Sequence, residues 1–222
     1  MKLQKAKIVF VSLILSHFAL PAQAQVEDRI GIWRPDIIEE FNMQSKQCEF
    51  RSAMRKLWED HITWTRVYII SAIGNLGDTN FAAQRLLKNQ KDLGNAIAPF
   101  YGVPAGNELT KLLREHILLA GEIITALKAG NSDAAKAAIK KWYANADDIA
   151  TFLNKANPDN WPLPEMKKMM REHLDLTTKE VTARLKKRWK ADIAAYDKVH
   201  TQALMMADML ALGIIKQFPA KF

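Results

Sequence analysis

The sequence predicts an all-α, up-and-down helical bundle built from three tandem helix pairs, and three observations predict it. Strand patterns are almost absent, while apolar residues recur at three- and four-residue spacings. Two proline-rich joints cut the chain into blocks of similar length. Each block also carries an acidic residue followed by histidine at nearly the same offset, the kind of fixed period that stacked helix pairs produce.

The first element is not part of the bundle. Lys2, Lys5 and Lys7 precede a nearly continuous apolar run, Ile8 to Leu20, and Pro21-Ala22-Gln23-Ala24 follows with small residues at an A-x-A site. A positive start, a short apolar run and such a site read as a secretory signal, residues 1–24, cleaved after Ala24. The run is shorter than the roughly 20 apolar residues a spanning helix needs, and no later stretch is long and apolar enough, so no stable membrane span is expected after cleavage. The remainder, 25–222, is expected to be one helical domain, periplasmic or secreted. Of the net charge of +8, three belong to Lys2, Lys5 and Lys7, leaving +5. So mild an excess, on an exported chain, does not indicate nucleic-acid binding. Cys48 is the sole cysteine, which excludes an internal disulfide; it is expected to be a small, helix-buried residue.

Residues 26–35 read as an irregular entry, followed by a short helix from Asp36. The joints are Pro99 to Gly106 and Asn157 to Pro164, dense in turn formers. They leave repeats at about 48–98, 106–156 and 164–218, with helix pairs near 48–73 and 79–98, 106–129 and 133–155, 164–187 and 190–217. The first helices carry Leu57-Trp58-Glu59-Asp60-His61, Leu112-Leu113-Arg114-Glu115-His116 and Met169-Met170-Arg171-Glu172-His173, the histidines 55 and 57 residues apart. Asp78, Asp133 and Asp192 follow and are expected to cap the second helices.

A helix turns 100° per residue, so positions −4, −3, +4 and +8 share each histidine's face. Those positions are Leu57, Trp58, Thr65 and Ile69, then Leu112, Leu113, Ala120 and Ile124, then Met169, Met170, Thr177 and Val181. His61, His116 and His173 therefore sit in the apolar stripes and face inward, each with a small residue one turn on. Their acidic neighbours Asp60, Glu115 and Glu172 are expected at the stripe edge. If the pairs close around an axis, three imidazoles converge; if they stack in a line, the outer two stand about 20 Å apart. Three convergent histidines with an open fourth position suit a transition metal such as Zn, Cu or Fe. The alternative is three core histidines, each hydrogen-bonded to a neighbour, in a structural or interaction module.

Other candidates surround this set. Glu180 lies seven residues after His173 on nearly the same face, two turns away, and is a candidate metal ligand only with help; Tyr68 holds the equivalent place in the first block. Asn89 and Asn145 lean to the apolar side, placed to fix a histidine tautomer or to bridge helices. Arg66 and Arg85 are forks that suit an anionic ligand or the nearby acids. Met166, Met169, Met170 and Met205, Met206, Met209 have core-filling spacing, and the nearness of His200 to the second set keeps copper open. The densest basic run, Lys186-Lys187-Arg188-Trp189-Lys190, reads as a solvated helix end or an anionic-surface contact.

Catalytic signatures do not appear: there is no G-x-S-x-G elbow, phosphate-cradling glycine loop, H-E-x-x-H, Cys pair or E-x-x-H. An enzyme is therefore not the expectation. Trp58-Glu59-Asp60-His61-Ile62-Thr63-Trp64-Thr65-Arg66, Asn89-Gln90-Lys91-Asp92-Leu93-Gly94, Asn145-Ala146-Asp147-Asp148-Ile149-Ala150 and Met205-Met206-Ala207-Asp208 through Gly213 to Phe218 together resemble a family of small bacterial all-helical proteins of unassigned function. The resemblance covers most of the chain after residue 24 and implies the helical fold. Labels such as glycosyltransferase or acetylglutamate kinase have been attached to members, but both activities need nucleotide-binding α/β architecture, which a chain without strands lacks. The resemblance carries over no catalytic residue.

Overall fold

The structure, a computed structural model, describes residues 35–222, with side chains from Glu39 onward. The expected signal segment and most of the irregular entry lie outside the described residues. Six helices follow one another: α1 Pro35–Gly74, α2 Thr79–Tyr101, α3 Val103–Lys128, α4 Ser132–Ala156, α5 Leu163–Leu185 and α6 Trp189–Gln217, with a final 3₁₀ turn Pro219–Lys221. No strand occurs among the described residues, and none of their helices is long and apolar enough to cross a membrane. The chain divides into a unit ending at Asn42 and a unit Met43–Phe222 that holds the packed helices. The second unit is an all-α bundle.

Successive helices pack on one another from α2 to α6, and α6 returns to α1. Asp208 of α6 accepts from Arg55 at 2.5 Å, and His200 of α6 meets Glu59 of α1 at 2.8 and 2.9 Å. The bundle is therefore closed, the alternative that the sequence leaves undecided. Its centre is built in layers, each taking one side chain from α1, α3 and α5. Met54, Leu109 and Met166 form one layer, Trp58, Leu113 and Met170 the next, then the three histidines, and Ile69, Ile124 and Val181 lie two turns beyond; all are buried. Met166, Met170 and Met206 are core fillers, whereas Met205 is exposed.

Several expectations need correction. The short entry helix and the first long helix are one, since nothing between Asp36 and Glu49 breaks α1. The Pro99 joint does not end α2, which continues to Tyr101. A proline in the last turn removes only one amide donor, and Gly102 alone makes the corner, its φ of 88° being open to glycine without strain. The aspartate caps are not made. Asp78 precedes α2 without a side-chain cap bond, and Asn131 rather than Asp133 caps α4 through Ala134 N at 3.0 Å. Asp192 lies inside the first turn of α6, where arginines hold it. Cys48 is exposed, because Met54 sets the inward face of α1 and six residues of helical turn place Cys48 well away from it.

α2 and α3 approach so closely at Gly94 and Gly106 that a Cβ on Gly94 would stand 2.0 Å from Thr110 Oγ1 and 2.4 Å from the Gly106 carbonyl oxygen. The second contact is with backbone, which cannot swing aside. Gly94→Ala is expected to destabilise by about 1–3 kcal/mol, the cost of overpacking a core, read as a lower urea midpoint. An unchanged midpoint would show that the two helices part freely.

Candidate functional site

The three inward histidines occupy one layer of the closed bundle. Helical periodicity puts each on the buried face of α1, α3 or α5, and each is only 4% exposed. The His61 and His173 ring centroids are 6.0 Å apart, and His116 is near enough for its field to act on His61. Trp58 packs on His61 at 5.7 Å and Trp142 on His116 at 5.2 Å, so apolar rings wall the layer.

The second helix of each pair supplies an amide to each ring. His116 Nδ1 lies 2.9 Å from Asn145 Oδ1, and His173 Nδ1 lies 3.0 Å from Gln202 Oε1. The NH₂ of Asn145 donates to the Leu112 carbonyl at 3.1 Å, and that of Gln202 to the Met169 carbonyl at 3.1 Å. A carbonyl only accepts, so it fixes the amide with its oxygen toward the ring, and the ring must donate from Nδ1. In the first pair Asn89 donates to the Leu57 carbonyl at 2.9 Å. Gln90 Nε2 meets His61 Nδ1 at 3.3 Å and shares its hydrogens with Leu86 O at 2.8 Å and Asn89 Oδ1 at 3.2 Å, so this ring faces an amide nitrogen where His116 and His173 face an amide oxygen. The same bond from second helix to first therefore recurs in all three pairs, always to the carbonyl four residues before the histidine.

Two consequences follow for the rings. Burial pushes the His61 imidazole down to about 3, helped by the fields of His173 and His116 and opposed by the Asn89 side chain. Burial likewise pushes His116 down to about 3, and it lowers His173 against the opposing Gln202 bond. All three are neutral at ordinary pH. With hydrogen on Nδ1, His116 and His173 each keep their lone pair on Nε2, and no hydrogen-bond donor meets the Nε2 atom of any of the three rings among the described residues.

One turn from the rings lies a cavity of about 30 Å³, lined among others by Thr65, Tyr68, Ala120, Trp142 and Thr177. That volume admits a water molecule or two. Thr65 and Thr177 spend their hydroxyl hydrogens on the carbonyls of His61 and His173, at 2.7 and 2.9 Å, while the buried indole N–H of Trp142 finds no acceptor among the described residues. Tyr68 separates this cavity from an open surface groove that it also lines; its hydroxyl packs over Gly121, and burial raises its pKa.

The remaining candidates lie elsewhere. Glu180 accepts from Arg66 at 2.8 Å, and Arg66 also clasps Asp192, which Arg184 holds at 3.0 Å from the other side. This buried ionic cluster ties α1 to α5 and α6. Arg85 reaches Asp60 at 3.4 Å and stacks over Trp64. Asp60 is half-buried, at the expected stripe edge, whereas Glu115 and Glu172 are exposed, beyond it. Gln202 and Gln90 were the partners missed by sequence reasoning. The signal for them was the constant offset of 29 residues, which a search for asparagine alone passes over. Among the described residues no three His, Cys, Asp or Glu side chains stand close enough to hold an ion as they are placed. No protein-family model, curated protein or solved structure matches this chain.

Proposed function

We propose that this is an exported binding protein whose three-histidine layer takes up a transition-metal ion of the zinc class. The observation that carries the reading is a layer of three neutral, buried rings, two of which, His116 and His173, have hydrogen held on Nδ1 by an amide oxygen and the Nε2 lone pair left over. Second-helix partners that fix the tautomer in this way are what orient ligating histidines in metal sites. A zinc–nitrogen bond of 2.0–2.1 Å puts a ring centroid about 3 Å from the ion, so two ligating rings have centroids about 5–6 Å apart. The 6.0 Å between His61 and His173 lies at the upper edge of that range, and His116 closes in as the third ligand. Glu180 and Arg66 support the layer from the ionic cluster, Asn89 and Asn145 orient rings, and Tyr68 screens the open position from the groove. Export rests on the features of residues 1–24.

Full-length protein prepared without a histidine tag is expected to bind one Zn(II) or Co(II) per chain. Each single variant His61→Ala, His116→Ala and His173→Ala is expected to lower affinity by at least about tenfold. Negligible metal in the wild type after dialysis against Zn(II) and Co(II) removes the proposal.

A second reading has a specific observation in its favour, the absence of a preformed three-ligand group among the described residues. In it the histidines and their amides specify the core and hold no ligand. That reading expects each His→Ala variant to lose stability and Zn(II) to leave the wild-type melting temperature unmoved.

A further inference from the structure

The connections α1–α2, α3–α4 and α5–α6 lie at one end of the bundle. Lys128 at the end of α3 bonds Asn75 Oδ1 in the first connection at 2.8 Å, and Arg66, two turns before the end of α1, clasps Asp192 at the start of α6. This end carries four exposed large apolar side chains, Leu76, Phe81, Trp189 and Ile193. Positive charge concentrates at one corner of it. Lys186, Lys187, Arg188 and Lys190 are all exposed, and none pairs with a carboxylate among the described residues, unlike Arg184 beside them, which Asp192 holds. The acids of the other two connections, Asp78 and Asp133, sit at the other corners.

Lysines at a helix C-terminus are explained by the helix dipole alone; an exposed tryptophan among them is not. Trp189 is 52% and Ile193 56% exposed, and the two are one turn apart on the same face of α6. Lys187 takes φ 55°, turning the chain at the corner so that the cations flank this apolar pair. Arg184 stacks over the Trp189 ring at 5.0 Å.

We infer that the α5–α6 corner is a docking surface for an anionic phospholipid bilayer, with Trp189 and Ile193 seated at headgroup depth and Lys186, Lys187, Arg188 and Lys190 meeting the lipid phosphates. Tryptophan belongs at that depth because its ring is apolar and its N–H is satisfied by headgroups. Clustered Lys and Arg supply the attraction to anionic lipid, and one short apolar step with a basic rim gives peripheral, salt-sensitive attachment. A nucleic acid is the poorer fit, since its phosphates call for a longer basic track and gain nothing from an exposed isoleucine.

The test uses the full chain with vesicles of phosphatidylcholine alone and with phosphatidylglycerol added. Hydrogen–deuterium exchange reads each segment separately, and Lys2, Lys5, Lys7 and the apolar run after them are common to wild type and variants, so the comparison between these proteins isolates the corner. Residues 185–194 are expected to gain protection with the anionic vesicles only, and to lose it at high salt. In Lys186→Glu/Lys187→Glu the vesicle concentration needed for that protection rises by at least about tenfold, at about fivefold per cation removed. Trp189→Ala raises it several-fold. Both changes are at exposed positions and leave the fold intact, which the melting temperature verifies. Protection that is absent, or equal on neutral vesicles, overturns the inference. So does equal protection by duplex DNA that survives Trp189→Ala, which assigns the corner to phosphate chains in general.

Discussion

Mild acid is expected to unfold this protein, with stability falling steeply from about pH 6 and the transition complete at about pH 4–5. The cause is the histidine layer. In the unfolded chain a histidine titrates near 6.5, whereas in the bundle burial holds His61 and His116 down at about 3 and lowers His173. Between those values the unfolded state binds protons that the folded state refuses, so stability is lost as the pH falls through that window. A ring held at about 3 contributes about 1.4 kcal/mol per pH unit through this window, so His61 and His116 together give about 3 kcal/mol per unit, with His173 adding in the same direction, against a total of about 5–15 kcal/mol for a domain. Carboxylates do not imitate this. Asp147 is lowered by Arg171, and Asp192 is lowered because Arg66 and Arg184 outweigh the raising effect of its burial. The stability these two contribute is lost only at lower pH, as it falls through their depressed values. Glu180 is raised by burial and works in the opposite direction. The measurement is the urea midpoint from pH 7 to pH 4.5, in chelator so that metal is not displaced at the same time. His116→Gln keeps a polar group without a titrating one and is expected to lower the slope by about 1.4 kcal/mol per pH unit. A wild-type midpoint that stays flat over this range would mean that the rings are reached by water and already protonate in the folded state.

Arg66→Leu is expected to be the most damaging single change outside the histidine layer, at about 3–5 kcal/mol. Arg66 is the sole partner of the Glu180 carboxylate among the described residues and shares Asp192 with Arg184, and both acids are about 1% exposed. Removing the guanidinium leaves a carboxylate buried without its counter-charge, a loss much larger than that of a surface pair. The double variant Arg66→Leu/Glu180→Leu distinguishes that cause from lost packing. With both charges gone it is expected to recover a large part of the stability, since apolar replacement of a buried pair is near neutral. If the double variant is no better than Arg66→Leu, the cost lies in the side-chain stems rather than the charges. Chemical denaturation of the three proteins side by side decides it.

The helices and the inward set of each stripe were legible in the sequence, because both depend only on neighbours a few residues apart. Periodicity alone puts His61, His116 and His173 in the core together with Trp58, Leu113 and Met170. Local rules failed where two interactions compete for one residue. Asp192 has the sequence position of a cap, yet Arg184 across the α5–α6 connection and Arg66, 126 residues away, bind it more strongly than a backbone amide does. Proline at Pro99 looks like a break, but its position in the last turn makes it tolerable.

What the sequence by itself determined is therefore the all-α class, the spacing of the histidines and their direction relative to their own helices. Whether the pairs close, which brings His61 to within 6.0 Å of His173, and which amide meets which ring were decided only in the tertiary structure. The physical reason is range. A helix face is set by a 100° turn repeated locally, whereas closure depends on contacts between α6 and α1, more than 140 residues apart in the chain, such as His200 with Glu59 and Asp208 with Arg55.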